Sequence, residues 1–232
     1  MAELIQSIQD MLKEETWTRA AIGSYTENNL RELSALVTKA EEEKCTKEVY
    51  DICNEQLSHS KDSIIALYFC GIIDLKNNSL DYSSLETLVD IFQKNHKENV
   101  VTYLCENILA DEPNNRFALR TLAASYEAEN NPKAWDLYET LVKTDFTEAD
   151  KAKLLAEHYE SEGDQDKAVD YYKKAILRFI AANNYNACKE IWSKLVQFIP
   201  EEIDIIQMLR RKISKQMNEM KTTILMQELY TC

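Results

Sequence analysis

One pattern of residue types occurs twice between residues 119 and 175, and it restricts the possible folds more than any other feature of the chain. Its first half is repeated in the pairs Leu119 and Ala152, Leu122 and Leu155, Ala123 and Ala156, and Tyr126 and Tyr159. Its second half is repeated in the pairs Ala134 and Ala168, Tyr138 and Tyr172, and Leu141 and Ala175. A period of about 34 residues is typical of helix pairs that stack into an array with a concave binding surface.

The residue types explain how each copy folds. Leu155, Ala156 and Tyr159 share one stripe of a first helix, at spacings of three and four residues. Alanines let two helix backbones approach closely, whereas tyrosine rings fill the space between one pair and the next. Gly163 separates the helices of the second copy, because glycine readily takes the positive φ that ends a helix. The residues expected to pack the repeats are Leu122, Ala123, Tyr126, Ala134, Tyr138, Leu155, Ala156, Tyr159, Gly163, Ala168, Tyr172 and Ala175.

These spaced residues resemble the tetratricopeptide repeat (TPR) family, most closely over 116–182. The resemblance implies an all-α, TPR-like right-handed α-α superhelix, with an unrelated α-solenoid as the alternative. The low content of glycine and proline, three of each, also favours an all-helical chain. Cys188 follows Ala168 too closely to continue the repeat, so the regular spacing ends there. Residues 184–198 therefore form either a single added helix or half of a further pair.

Helical periodicity and end signals predict twelve helices, over 2–14, 27–42, 45–57, 62–75, 84–95, 97–111, 116–129, 132–144, 148–162, 165–182, 184–198 and 201–229. We divide the chain into an irregular helical N-terminal portion (1–115), TPR-like repeats (116–200) and a C-terminal capping or connecting helix (201–232). The segment 62–75 is apolar nearly all round and is expected at the centre of the first portion. Gly71 within it would allow a close helix contact.

Two local features carry more specific expectations. Thr147 and Asp150 have the spacing of a capping box that opens the second copy. The segment 17–26 is aromatic and non-periodic, which predicts a loop. Its Trp17 and Tyr25 form either a contact epitope or, in the interpretation that we favour, a hydrophobic plug that fixes the next helix.

Composition and missing motifs limit the possible functions. The net charge of −13 argues against general binding to nucleic acids or membranes, since both are anionic. Six cysteines lack metal-binding spacing and are expected as small buried side chains in a reduced cytosol. Neither a secretory signal nor a membrane-spanning apolar run occurs, so we expect a cytoplasmic protein. The three histidines lack the spacing of metal ligands, and His158 should face outward. The sequence also has no glycine-rich phosphate loop and no nucleophile motif, so we expect no enzyme activity, catalytic residue, cofactor or metal.

The expected partner is a protein or a peptide. Arg116, Arg120, Lys151 and Lys153 lie near the starts of two first helices and are the candidate partner-binding residues. As an alternative, these four residues bind the C-terminal carboxylate of a peptide. Five glutamates crowd the same helices, however, so we expect the groove to receive a basic or apolar segment. The basic cluster in 210–215 is either a site for an acidic partner or RNA or, as we favour, a solvated face.

Three short strings resemble the N-terminal helical extension of spirochaetal GreA-type transcription elongation factors. They are Trp17-Thr18-Arg19-Ala20 with Tyr25-Thr26, Ser63-Ile64-Ile65-Ala66-Leu67-Tyr68, and Tyr171-Tyr172-Lys173-Lys174-Ala175-Ile176. The resemblance implies a regulatory extension that acts with RNA polymerase, while the family's cleavage residues lie in a coiled coil with no match here. The alternative is a free-standing cytoplasmic TPR adaptor or chaperone-like module that binds a peptide or helix.

Overall fold

The computed structural model describes residues 1–15 and 19–198, together with Arg211 and Lys215. Within these residues the chain forms twelve α-helices and no β-strand, which confirms the all-α prediction. The helices are α1 (Ala2–Glu14), α2 (Arg19–Ser24), α3 (Glu27–Glu42), α4 (Thr46–His59), α5 (Ile64–Lys76), α6 (Ser83–Lys94), α7 (Glu98–Asp111), α8 (Arg116–Ala128), α9 (Lys133–Thr144), α10 (Ala149–Ser161), α11 (Gln165–Ala181) and α12 (Tyr185–Phe198). None of the helices in these ranges is long and apolar enough to cross a membrane.

Eleven of the twelve predicted helices coincide with helices of the structure, to within two residues at each end. The loop predicted over 17–26 is wrong at its centre, because Arg19–Ser24 form α2. Six residues are too few for helical periodicity to be visible in a sequence. The predicted helix 201–229 lies outside the described residues, except for Arg211 and Lys215, which are helical and exposed. Trp17 lies outside them too.

The chain divides into two compact units, Met1–Ser125 and Tyr126–Cys232, and the division falls within α8. Each unit has its own buried side chains. The three-part division at residues 115 and 200 stays a prediction.

In the first unit, α5 lies at the centre and contacts α1, α3, α4 and α6. Ten of its thirteen residues are buried, as its nearly uniform apolar character predicts. The backbone of Gly71 lies so close to α6 that a Cβ there would be 2.5 Å from Cγ of Leu85. The absence of a side chain at Gly71 therefore sets the distance between α5 and α6.

A carboxylate joins the end of α1 to the start of α5. Glu15 accepts hydrogen bonds from the backbone N–H of Ile65 at 3.1 Å and from the Ser63 hydroxyl at 3.0 Å. The Tyr25 hydroxyl donates to the same carboxylate at 3.4 Å, and its ring centroid lies 6.0 Å from that of Phe92. Tyr25 is thus packed in the first unit. Burial, which outweighs these hydrogen bonds, raises the pKa of Glu15 to about 7.

The second unit is built from successive contacts of α9 with α10, α10 with α11, and α11 with α12. The predicted packing residues that are fully buried here are Ala134, Tyr138, Leu155, Ala156, Ala168, Tyr172 and Ala175. Tyr126 and Tyr159 are only half-buried. In the first unit, Leu122 and Ala123 are buried. The segment 184–198 corresponds to a single helix, α12, which packs on α11.

The first helix of each repeat is followed by a residue in the left-handed backbone conformation, with positive φ. Asn130 and Gly163 have φ values of 56° and 79° and occupy equivalent positions of the two copies. The capping box predicted from Thr147 and Asp150 is wrong. Both the backbone N–H and the hydroxyl of Thr147 donate to the Asp145 carboxylate at 2.7 Å, so α10 begins after Glu148 instead.

Candidate partner-binding face

The four cationic residues proposed for partner binding belong to different units. Arg116 and Arg120 lie on the part of α8 in the first unit, where Arg116 is exposed and Arg120 is half-buried. Lys151 and Lys153 lie on α10 in the second unit, and both are half-buried. The candidate face of the second unit is therefore defined by the residues that contact Lys151 and Lys153.

Lys153 connects α10 to α12. Its Nζ lies 2.8 Å from Oε1 of Glu190 on α12 and 3.7 Å from Oε1 of Glu157, one turn along α10. The hydrogen bond to Glu190 raises the pKa of Lys153, and the same bond lowers the pKa of Glu190. An incoming carboxylate would have to displace these partners before it could bind Lys153.

A second ion pair joins the same two helices. Nζ of Lys194 on α12 lies 2.7 Å from Oε2 of Glu160 on α10, and the Tyr172 hydroxyl donates to that oxygen at 2.5 Å. The hydrogen bond from Lys194, followed by the one from Tyr172, lowers the pKa of Glu160. Glu160 is therefore ionised at neutral pH and holds three helices together.

We call Lys153, Glu157, Glu160, Glu190 and Lys194 the α10–α12 face. It carries three carboxylates and two ammonium groups, and each ammonium group already lies against a carboxylate. The side chains of Glu157 and Glu190 keep 39% and 58% of their surface exposed. The arrangement therefore suits a cationic side chain of a partner better than an anionic one.

A tyrosine–glutamate hydrogen bond repeats in the two copies. The Tyr138 hydroxyl donates to Glu127 at 2.7 Å, and the Tyr172 hydroxyl donates to Glu160 at 2.5 Å. The two tyrosines occupy equivalent positions of the repeat, and so do the two glutamates. The sequence alone predicts that the rings fill the space between helix pairs and that the glutamates give the groove its negative charge. The joint repetition of both residue types was the signal that would have identified the bond.

Lys151 of α10 contacts Tyr138, the donor in the first of these two hydrogen bonds. Its Nζ lies 4.7 Å from the ring centroid of Tyr138, within the range of a cation–π interaction. It also lies 3.5 Å from the Tyr138 hydroxyl. Lys151 thus supports the junction between α9 and α10, so a role in partner binding would compete with this contact.

His158, which is expected to face outward, is half-buried. Its ring stacks on Trp135 of α9, with a centroid distance of 3.7 Å and an interplanar angle of 8°. The sequence concealed this contact because Trp135 and His158 lie on neighbouring helices of different repeats. Burial lowers the pKa of His158, so its neutral form predominates at neutral pH.

Reactive or metal-binding clusters are not found in the described ranges. No group of three or more His, Cys, Asp or Glu residues there could hold a metal ion. Cys45, Cys53, Cys70, Cys105 and Cys188 are buried and free of disulfides. Burial raises the pKa of the Cys70 and Cys105 thiols to about 12, so they are protonated and poor nucleophiles.

The fold and the repeated junctions define an all-α protein built from stacked helix pairs of the TPR type. No family model matches the chain. It is 40% identical over 207 residues to a Treponema pallidum protein described as "Putative GreA-associated domains protein", covering 89% of this chain and 31% of the relative. It is 30% identical over 227 residues to "Transcription elongation factor GreA" of Borreliella burgdorferi, covering 97% of this chain and 25% of the relative.

The predicted resemblance to spirochaetal GreA-type proteins is therefore confirmed, and the chain corresponds to only part of each relative. Among solved structures it resembles a MamA RS-1 double mutant, with 16% identity and a TM-score of 0.36 over 83% of this chain and 97% of that one. It also resembles a thermophilic TPR protein of Thermus thermophilus, with 14% identity and a TM-score of 0.28 over 82% and 98%. Such low scores add nothing to the fold described above.

Proposed function

We propose that this chain is the protein-binding, regulatory extension of a GreA-like transcription elongation factor, and that it acts with RNA polymerase in the cytoplasm. The observation that carries the proposal is the similarity to a GreA protein and a GreA-associated protein over 97% and 89% of the chain. Stacked helix pairs expose a large surface relative to their core, which suits contact with another protein. A net charge of −13 opposes direct contact with nucleic acid.

In this proposal the repeats in 116–200 bind the partner, and 201–232 caps or connects them. The α10–α12 face takes a basic or apolar helical segment, with Glu157 and Glu190 as the contacts for its cationic side chains. Their exposed carboxylates support this assignment, as does the engagement of Lys153 with Glu190. Arg116 and Arg120 form a separate proposed contact in the first unit.

The test is a binding assay between the purified chain and a purified spirochaetal core RNA polymerase. We expect saturable binding, weakened about 2–30-fold in the double variant Glu157→Gln/Glu190→Gln, because each exposed charge contact contributes about 0.2–1 kcal/mol. The matched control is Glu48→Gln/Glu55→Gln, which changes the net charge equally through exposed residues of α4.

Two outcomes would count against the proposal. If a folded chain does not bind the polymerase, the adaptor or chaperone-like alternative takes its place. If both double variants weaken binding equally, overall charge and not the α10–α12 face attracts the partner. Raising the salt concentration should weaken binding, because exposed charges are screened over about 8–10 Å at physiological ionic strength.

A further inference from the structure

The first unit contains a cavity that the proposed function does not use. It lies between α3, α5 and α7 and has a volume of about 90 Å³. Buried apolar residues, among them Leu30, Val37 and Leu104, line its floor, and polar side chains line its rim. A water molecule needs about 10–15 Å³ by this measure, and a dry cavity of about 150 Å³ holds benzene. The volume therefore suits a branched four-carbon side chain better than a tryptophan.

Polar side chains at the rim are bonded back to their own helices. The Thr38 hydroxyl donates to the Ser34 carbonyl at 3.1 Å, and the Asn107 amide donates to the Tyr103 carbonyl at 2.8 Å. These bonds satisfy donors that would otherwise need water or a polar ligand. An apolar side chain on the floor would therefore leave the Thr38 hydroxyl and this Asn107 N–H with their hydrogen bonds.

The charges at the rim favour a cationic side chain next to the inserted apolar side chain. Lys76 and Asp111 are the charged residues that line the cavity. Lys76 is neutralised by Glu41, with 3.0 Å between Nζ and Oε2. Asp111 is exposed, and its carboxylate makes no hydrogen bond or ion pair with any residue in the described ranges. An uncompensated carboxylate beside an apolar cavity is complementary to a cationic side chain.

We propose that this cavity is a docking site for an amphipathic helix, which inserts one leucine or a side chain of similar size and pairs a neighbouring lysine or arginine with Asp111. Residues three and four apart share one face of a helix, so a leucine and a lysine at that spacing reach both features together. The site lies wholly in the first unit and is independent of the α10–α12 face.

The test uses blocked helical peptides with one leucine and a lysine four residues later, titrated into the full chain with NMR observation of methyl groups. We expect saturable shifts at Ile72 and Leu104, which line the cavity. Replacing the peptide leucine by alanine should reduce the affinity at least tenfold, and replacing it by tryptophan should abolish binding there. Replacing the peptide lysine by glutamate should reduce the affinity about two- to fivefold.

Two pairs of variants distinguish peptide binding in the cavity from non-specific effects of side-chain size and of net charge. Thr38→Trp should block the site, while Ala35→Trp, at an exposed position of α3 outside the cavity, should not. Asp111→Asn should weaken binding more than Asp51→Asn, which makes the same change in charge on α4. Equal binding of the leucine and alanine peptides, or equal effects within either pair, would overturn the proposal. Glu157→Gln/Glu190→Gln should leave this affinity unchanged, so the two sites can fail separately.

Discussion

The three glycines of the chain provide a test of the packing, because alanine at each should change the free energy of unfolding for a different reason. At Gly71, a Cβ would lie 2.5 Å from Cγ and 2.6 Å from Cδ2 of Leu85, distances at which one residue must move. At Gly23 on α2, a Cβ would meet nothing within 4 Å. At Gly163 space is also open, but φ is 79°, which disfavours any side chain.

The magnitudes follow from these differences. Alanine in a helix is favoured over glycine by about 1 kcal/mol, so Gly23→Ala should stabilise the chain by about 0.5–1 kcal/mol. Gly71→Ala has the same gain but overpacks against a fully buried Leu85, at a cost of about 1–3 kcal/mol. Since the clash is severe, we expect a net loss of about 1–2 kcal/mol. Gly163→Ala should lose about 1–2 kcal/mol from backbone strain.

Denaturant unfolding followed by circular dichroism measures all three effects. The decisive comparison is Gly71→Ala in a Leu85→Ala background, where the clashing atoms are gone. Leu85→Ala alone should cost about 2–5 kcal/mol. In that background Gly71→Ala should leave the free energy of unfolding unchanged or raise it, whereas in the parent it lowers it. If Gly71→Ala is as stable as the parent, or destabilises both backgrounds equally, the close approach of α5 and α6 is refuted.

Three further outcomes follow from single contacts. Tyr172→Phe should lower the free energy of unfolding by about 1 kcal/mol, measured by denaturation, because it removes a part-buried hydrogen bond to Glu160. Glu15 has a pKa raised to about 7, so its protonated form favours folding. Relative to Glu15→Gln, the parent should lose about 1–3 kcal/mol of stability as pH rises from about 4.5 to about 7, and a gain of stability over that range would contradict this. Trp135→Ala should expose His158 and raise its pKa, measured by NMR titration; an unchanged value would show that stacking does not cause the shift.

Features within one helix were predictable from the sequence. The apolar periodicity located α10 and α11, and the uniformly apolar segment 62–75 was correctly expected at the centre of the first unit. Gly71 was correctly expected at a close helix contact. Such features depend on residues a few positions apart, whose spacing is set by the geometry of one helix.

Two kinds of feature were not predictable: hydrogen bonds for which several acceptors compete, and contacts that depend on how one helix is placed along another. Thr147 matched a capping box, but the nearer Asp145 carboxylate took both of its donors. The spacing between Lys153 and Glu190 does not match the period of the repeat. Their pairing follows from the placement of α12 after the longer α11, so no repeat pattern could have predicted it.

The hydrogen-bonded glutamates also change what the net charge means for a partner. Glu127, Glu139 and Glu160 accept hydrogen bonds from tyrosine hydroxyls at 2.5–2.7 Å, which fixes these carboxylates at the junctions between helices. Glu160 is bonded by both Lys194 and Tyr172 and is less exposed than Glu190, so it offers less attraction to an incoming cation than Glu190 does. A basic partner of the second unit therefore meets a few exposed carboxylates, among them Glu157 and Glu190, and not the full formal charge of −13. Recognition then depends on where cations lie along the partner helix more than on how many it carries.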